Sequence, residues 1–175
     1  MFKYVATAAL ILGLAGPLAA KPKECDPVLM DYQFCPKKLW QRMHYKNAPE
    51  GLFVWRTNRT AAKLIVEMIA VGSVPETEMV MDAIKDSVRQ SLIDPSAVSF
   101  ETAMFKDGDE QGLGTVIYEI MMEGEPVRVH HSVLISGNLM MQYITSTSND
   151  NDQDGSETHR SFVTSFKTVE PIHDA

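Results

Sequence analysis

The sequence is poor in the features that mark a catalytic or nucleic-acid-binding protein. Its 175 residues include only 2 cysteines, and 16 lysines and arginines face 23 aspartates and glutamates. The resulting net charge of -7 disfavours binding to nucleic acids or anionic lipid headgroups through charge. The sequence shows neither the Gly-x-Ser-x-Gly signature of hydrolases nor an activated cysteine. The sequence therefore offers no strong motif for catalysis and little charge for nucleic-acid binding.

Long apolar runs are missing after the first twenty residues. Residues 1–20 place Lys3 before the apolar stretch Val5 to Leu14 and end in small residues, which is the layout of a secretory signal peptide. A membrane span needs about 20 apolar residues, roughly twice this stretch. We therefore expect cleavage near Ala20, a periplasmic or secreted protein with no remaining membrane span, and one domain over residues 21–175.

The two cysteines lie close together near the expected mature N-terminus. Cys25 and Cys35 are ten positions apart, whereas redox-active pairs are more typically spaced C-x-x-C. Outside the cytoplasm, two such thiols most simply form one disulfide. A loop this short would contribute roughly 2 to 3 kcal/mol to stability by restricting the unfolded chain. We therefore expect a structural disulfide.

Hydrophobic periodicity divides the chain into strands and two helices. A capping box at Ser73 to Glu76 predicts a helix that ends at Asp94-Pro95. Alternation from 98 to 146 predicts a meander of four antiparallel strands. An acidic loop at 149–155 is then expected to lead to a second amphipathic helix at 156–167. This order predicts an α+β fold, with a mainly antiparallel sheet and two helices packed on it.

The chain resembles a known fold family at this level. A strand feeds a proline in Tyr32-Gln33-Phe34-Cys35-Pro36, Trp40 follows, and a helix, a meander and a final helix ending in Ser165-Phe166-Lys167 complete the pattern. This pattern is similar to the PsbP/DcrB-like fold. The resemblance implies an antiparallel sheet covered by helices and a binding or assembly-accessory role. It implies no catalytic residues, because the fold hosts unrelated partners.

One polar cluster is expected on the meander. A two-residue turn at Gly124-Glu125 would set Glu119 across from His130, with Arg128 diagonal to Glu119. These three side chains combine an acid, a base and an anion binder, so they form a possible surface site. Cross-strand charge pairing explains the same pattern without any function, and a hydrolase would also need a pocket and a positioned nucleophile.

The histidines do not predict a transition-metal site. His130 and His131 are adjacent on a strand, so they point to opposite faces and cannot bind one ion. We expect His131 to be a hydrogen-bonded core residue. His44, His159 and His173 have no ligand partner at suitable spacing, and these three and His130 are expected at the surface.

A partial calcium-loop pattern lies near the C-terminus. Asp150, Asp152 and Asp154 alternate before Gly155, as in loops whose carboxylates converge on one ion. The twelfth position is Ser161 where such loops place a glutamate. The alternative is a solvated acidic loop that favours the N-terminus of the following helix. No other cofactor is expected.

The function that the sequence favours is that of a non-catalytic accessory or binding protein of the bacterial cell envelope, with a protein partner. The alternatives are a calcium-binding secreted module and a hydrolase. Exposed apolar side chains commonly mark a contact surface. The candidates are whichever of Met121, Leu134, Met141 and Tyr143 face outward, and the sequence leaves the register of their hairpin open.

Overall fold

In the residues that the structure describes, two antiparallel sheets and two helices form an α+β fold. The computed structural model describes residues 25–29, 32–36, 40–70, 72–92, 98–105, 113–122, 124–148 and 152–168. The larger sheet has seven strands, which are in spatial order β3 (Gln41–Met43), β4 (Leu52–Arg56), β5 (Thr60–Met68), β9 (Leu139–Thr147), β8 (Glu125–Ser136), β7 (Leu113–Met122) and β6 (Phe100–Phe105).

The smaller sheet joins the two ends of the described chain. Its three strands are β1 (Asp26–Leu29), β2 (Tyr32–Phe34) and β10 (Phe166–Thr168), in the order β1-β2-β10. The helices are α1 (Thr77–Ser91) and α2 (Asp152–Val163). Neither of these helices is long and apolar enough to cross a membrane.

The two faces of the larger sheet differ in what covers them. Because side chains alternate along a strand, Trp55, Leu64 and Tyr143 share one face, here called the core face. Helix α2 and the smaller sheet lie on it. The opposite face, here called the α1 face, carries Lys63 and Val116, and α1 packs there against β7 and β8.

An aromatic cluster on the core face holds the layers together. Phe34 of β2 lies with its ring centroid 4.6 Å from that of Trp55, and Phe162 of α2 lies 5.6 Å from Trp55. Trp40 packs on Phe162 at 5.2 Å. All four side chains are 0% exposed. Burying such large rings contributes much of the folding free energy and fixes α2 and the smaller sheet to the larger sheet.

Covalent and polar links tie down the N-terminal strands. Cys25 and Cys35 form a disulfide, which confirms that prediction. The Cys35 amide donates a 2.7 Å hydrogen bond to the Ser165 carbonyl, just before β10. Arg42 of β3 donates to the Pro27 carbonyl at 3.1 Å and lies over the Phe53 ring. These contacts hold the smaller sheet against the edge of the larger one.

Helix α1 begins later than the sequence predicts. Its N-cap is Glu76, with extended backbone and no side-chain capping hydrogen bond, so the predicted capping box is wrong. The position of the helix is set instead by packing at Gly114 of β7. A Cβ there would lie 2.6 Å from both Met81 Sδ and Thr77 Cγ2, so the glycine allows α1 to approach the sheet closely.

Helix α2 also differs from its predicted bounds. It begins at Asp152, inside the predicted acidic loop, and ends at Val163. The hydroxyl of Ser165 donates to the Ser161 carbonyl at 2.6 Å, and the hydroxyl of Thr164 donates to the Arg160 carbonyl at 2.9 Å. These bonds satisfy carbonyls that the end of a helix leaves open. Residues after Ser165 then form β10 and not a further helical turn.

Candidate functional site

The β7–β8 hairpin places the predicted polar cluster in a different register. Met122 pairs with Glu125, so the turn ends at Gly124, one residue earlier than predicted. Gly124 has φ 87°, a left-handed conformation that glycine adopts readily at the second position of such a turn. Glu119 consequently pairs with Arg128, and the predicted pairing of Glu119 with His130 is wrong by two residues.

The three residues of that cluster do not share one open site. Arg128 donates to Glu101 Oε2 at 3.3 Å, and Glu119 is exposed at the end of the sheet. His130 is only 2% exposed, because α2 lies over it with Gly155 against the ring. A Cβ on Gly155 would be 3.2 Å from His130 Nε2. The exposed ion pair contributes about 0 to 1 kcal/mol, as surface pairs do.

A buried chain of hydroxyls and one histidine lies between α2 and the sheet. Thr115 Oγ1 and Ser132 Oγ are 2.6 Å apart, and Ser132 Oγ lies 2.7 Å from His159 Nε2. His159 Nδ1 lies 2.9 Å from Thr145 Oγ1. We call Thr115, Ser132, Thr145 and His159 the hydroxyl–histidine chain. It spans β7, β8, β9 and α2, so it fixes the position of α2 on these three strands.

The histidine of this chain is neutral near pH 7. Burial lowers the pKa of His159 from 6.5 to about 3, with smaller contributions from the charges that His130 and His131 carry when protonated. A neutral imidazole donates from one nitrogen and accepts at the other, and hydroxyls serve in either role. The His130 ring stacks on His159 at 5.5 Å. Every step of the chain is therefore a hydrogen bond between neutral groups.

A serine hydroxyl 2.7 Å from an imidazole nitrogen has the geometry of a nucleophile and its base. Such a pair acts only where a substrate carbonyl can reach the oxygen. Ser132 is 0% exposed and His159 is 3% exposed, with α2 closing the space above them. This geometry supports a structural role, in which the chain satisfies polar groups that would be costly to bury unpaired.

Sequence reasoning predicted His130 at the surface, which is wrong, and the same prediction is wrong for His159. A signal for its burial exists in the helical period, because Gly155, His159 and Phe162 follow one another at spacings of four and three. All three are buried against the sheet. His131, in contrast, is buried and hydrogen-bonded as predicted: its Nε2 lies 2.9 Å from Gln142 Oε1. His44 is exposed, as predicted, and His173 lies outside the described residues.

Part of the α1 face is less covered than the rest of the sheet. On β4, β5 and β9, the core-face residues Trp55, Leu64 and Tyr143 are 0%, 1% and 2% exposed. The residues that alternate with them on the α1 face keep intermediate exposure. They are Val54, Lys63, Ile65, Gln142 and Ile144, which we call the open half-face. In the described residues α1 packs on β7 and β8, so these three strands carry no comparable cover.

Lys63 lies at the centre of the open half-face. In the register it pairs with Val54 on one side and Ile144 on the other. Burial lowers the pKa of Lys63, because its surroundings disfavour the charged form. Among the described residues, none of the ion pairs includes Lys63. The sheet thus holds a partly desolvated cation between apolar side chains.

The polar neighbour of Lys63 is held in a defined orientation. Gln142 sits diagonally across from Lys63, opposite Ile65. Burial lowers the pKa of His131 to about 4, opposed by its hydrogen bond to Gln142, so the ring is neutral. The carbonyl oxygen of Gln142 can only accept, so His131 Nε2 carries the hydrogen. The amide nitrogen of Gln142 keeps its own two donors for other contacts.

The sequence did not single out this surface. β5 lies in the interior of the sheet, between β4 and β9. Its two faces differ in character, however: Ala62, Leu64 and Val66 alternate with Lys63 and Glu67. Mixed polarity on one face is typical of a sheet that is covered on one side only. That alternation was the available signal.

The methionine and tyrosine candidates for an apolar contact surface are mostly internal. The β8–β9 hairpin pairs Ser136 with Leu139, which settles the register that the sequence left open. Met141 and Tyr143 consequently belong to the core, and Leu134 packs against it. Met121 alone of these four is well exposed, at 65%.

The residues expected to bind calcium are only partly described. Asp150 lies outside the described residues, and Asp152 and Asp154 belong to the first turns of α2 and not to a loop. In the part of the chain that the structure describes, no group of three histidine, cysteine or acidic residues could hold a metal ion. Calcium binding stays a prediction.

Comparison with known proteins identifies the fold. No family model matches the chain, and no curated protein matches it in sequence. It is similar to the solution structure of cyanobacterial PsbP (CyanoP) from Synechocystis sp. PCC 6803, with a TM-score of 0.60 and 16% identity over 79% of this chain and 87% of that one. It is also similar to LpqN of Mycobacterium tuberculosis, which is involved in cell envelope biogenesis, with a TM-score of 0.44, 12% identity and 82% of each chain covered. The chain has a PsbP-like fold, as the sequence resemblance implied.

Proposed function

We propose that this protein is an exported, non-catalytic binding protein of the cell envelope, which docks a protein partner on the open half-face. The observation that carries the proposal is the contrast between the two faces of the same three strands. Leu64 is 1% exposed, whereas Lys63 and Ile65 beside it in the chain keep part of their surface open. Half-open apolar surface around a polar centre is characteristic of contact sites.

Two features support the exported location. The disulfide between Cys25 and Cys35 suits an oxidising compartment, since such bonds are rare in the cytosol. Residues 1–20 have the layout of a signal peptide. The PsbP-like fold is compatible with an accessory role, although a shared fold does not specify a partner.

The packing of α2 over the hydroxyl–histidine chain favours a binding role over a catalytic one. The hydroxyl–histidine chain is the best nucleophile geometry among the described residues, and it is closed to substrates. The charge pair of Arg128 and Glu101 lies at the surface, whereas His130, two residues along β8 on the same face, is buried under α2. The open half-face, in contrast, offers accessible side chains on a rigid sheet, which is what a docking surface requires.

Photo-crosslinking in intact cells of the native host tests this proposal. A photoreactive amino acid replaces Ile65 on the open half-face or Glu119, an exposed residue on the opposite face of the sheet. We expect a reproducible crosslink to one envelope protein from position 65 and none from position 119. Equal yields, or a crosslink from position 119 alone, would contradict the assignment. Intact mass and the unfolding midpoint of each variant verify that it folds.

A further inference from the structure

We propose that the open half-face binds an amphipathic helix of the partner protein, with a carboxylate of that helix placed against Lys63. This inference rests on the proposed function and specifies the element and the chemistry that the docking surface accepts. It follows from the width of the uncovered sheet, from the hydrogen bonding of its strands, and from the cation at its centre.

The width of the surface fits one helix. Strands lie about 4.8 Å apart, so β4, β5 and β9 present a strip roughly 10 to 15 Å wide. A helix with its side chains is about 10 to 12 Å across, and packed helices lie about 8 to 10 Å apart. Helix α1 already packs on β7 and β8 of the same face. A second helix beside α1 would complete the cover of the sheet.

The backbone of the strip is not available to a peptide strand. β5 is hydrogen-bonded to β4 on one side and to β9 on the other, and β9 is hydrogen-bonded to β8. An extended peptide gains affinity by adding to a free sheet edge, which these interior strands do not have. A helix satisfies its own backbone and binds through side chains. It is therefore the element that packs on the face of a sheet.

The side chains require an occupant that is apolar with one acidic position. Val54 and Ile144 flank Lys63 directly, and Ile65 follows it on the same face. Covering Lys63 with an apolar helix alone would bury an unpaired charge, which costs several kcal/mol. A carboxylate removes that cost by forming an ion pair. It can also accept from the amide nitrogen of Gln142, whose oxygen faces His131.

The other charged residues on this face favour a carboxylate near Lys63 over one placed further along β5. Arg56 lies diagonally from Lys63 on β4, on the same side of the sheet. Glu67 is four residues further along β5, about 13 Å away at the rise of a strand, and would repel an acid placed closer to it. An anionic bilayer is a poorer occupant, because the protein carries a net charge of -7 and the strip lies beside α1.

A zero-length crosslink tests the predicted ion pair directly. A water-soluble carbodiimide joins a lysine amine to a carboxylate in contact with it, with loss of water, and it is applied to intact cells of the native host. We expect an amide between Lys63 and an aspartate or glutamate of an envelope protein, in a peptide with apolar residues at spacings of three and four. Lys85 and Asp82, 2.8 Å apart, provide the internal positive control.

Two matched substitutions separate charge from folding. Lys63→Arg keeps the charge and cannot form the amide, so it should lose the crosslink and keep co-purification of the partner. Lys63→Glu should lose both. A synthetic peptide of the crosslinked segment should become helical on binding, with affinity for Lys63→Glu lower by about tenfold or more. Unchanged unfolding midpoints show that each variant folds.

Several results would overturn the inference. A Lys63 crosslink to this chain itself or to a second copy would show a different occupant, as would binding of Lys63→Glu that equals the parent. A segment that binds without becoming helical would exclude the helix. If position 65 still crosslinks to an envelope protein, only this inference fails. If neither position 65 nor Lys63 crosslinks to a partner, the proposed function fails as well.

Discussion

Mild acid is expected to destabilise this protein through His131 and His159. Burial lowers their pKa values to about 4 and about 3, against 6.5 for an ordinary histidine. The unfolded chain therefore binds protons below pH 6.5 that the folded protein does not. The sign follows: their stabilising effect is fully present above about pH 6.5 and is lost as the pH falls toward the folded pKa values.

The size of the effect follows from the same values. At about pH 5 the pH is roughly 1.5 units below the pKa of a histidine in the unfolded chain. Compared with about pH 7.5, protonation of each such histidine therefore stabilises the unfolded state by about 2 kcal/mol. The two histidines together give about 4 kcal/mol. Since a domain is typically stable by about 5 to 15 kcal/mol, this loss is a large share of the total. Ordinary carboxylates titrate mostly below this range, so they contribute less.

Urea unfolding at several pH values measures this loss. Trp40 and Trp55 are buried, so their fluorescence reports unfolding. His159→Gln should be less stable at pH 7.5, because it breaks the hydroxyl–histidine chain, and its stability should fall with pH about half as steeply. His44→Gln, at an exposed position, is the control and should leave the slope unchanged. If the His159→Gln slope equals that of the parent, the buried neutral histidine is not the cause.

Two further predictions concern packing and export. Gly114→Leu should lower stability by about 2 to 4 kcal/mol or displace α1, since a side chain there meets Met81 Sδ and Thr77 Cγ2. Thermal unfolding measures it, and Met121→Leu, at a 65% exposed position of the same strand, serves as the comparison; an equal or smaller loss for Gly114→Leu would refute the close approach. Mass spectrometry of protein from the native host should show a chain that starts near Lys21 and is two hydrogens lighter than its reduced form. An intact Met1, or no mass change on reduction, would refute that prediction.

The elements that alternate strongly were predictable from sequence. The meander from β6 to β9 and the antiparallel α+β fold follow from period-two patterns separated by glycine-containing turns. The register of the β7–β8 hairpin, in contrast, could not be predicted from these patterns. Whether Gly124 occupies the first or the second position of a two-residue turn shifts every cross-strand pair by two residues, and both choices keep the same faces apolar.

The candidate site was less accessible to sequence reasoning, for a physical reason. The exposure of Lys63 depends on which strands α1 packs against. Helix α1 packs closely on β7, because Gly114 lacks a side chain. The burial of His159 depends on hydrogen bonds to Ser132 and Thr145, which lie on two strands and are distant from it in the chain. Local patterns carry little information on such contacts, whereas they do report which face of an element is apolar.

The smaller sheet sets an order of events for folding. Its central strand, β2, pairs on one side with β1, next to it in the chain, and on the other with β10, which lies more than a hundred residues later. The disulfide and the β1–β2 pair involve only residues 25–35, so they can form before the rest of the chain folds. The aromatic cluster cannot form this early, because Phe34 packs against Phe162 and Phe166, which come late in the chain. A chain delivered from its N-terminus therefore holds an open hydrophobic surface until its last strand arrives, and this interval is when it would most need a chaperone.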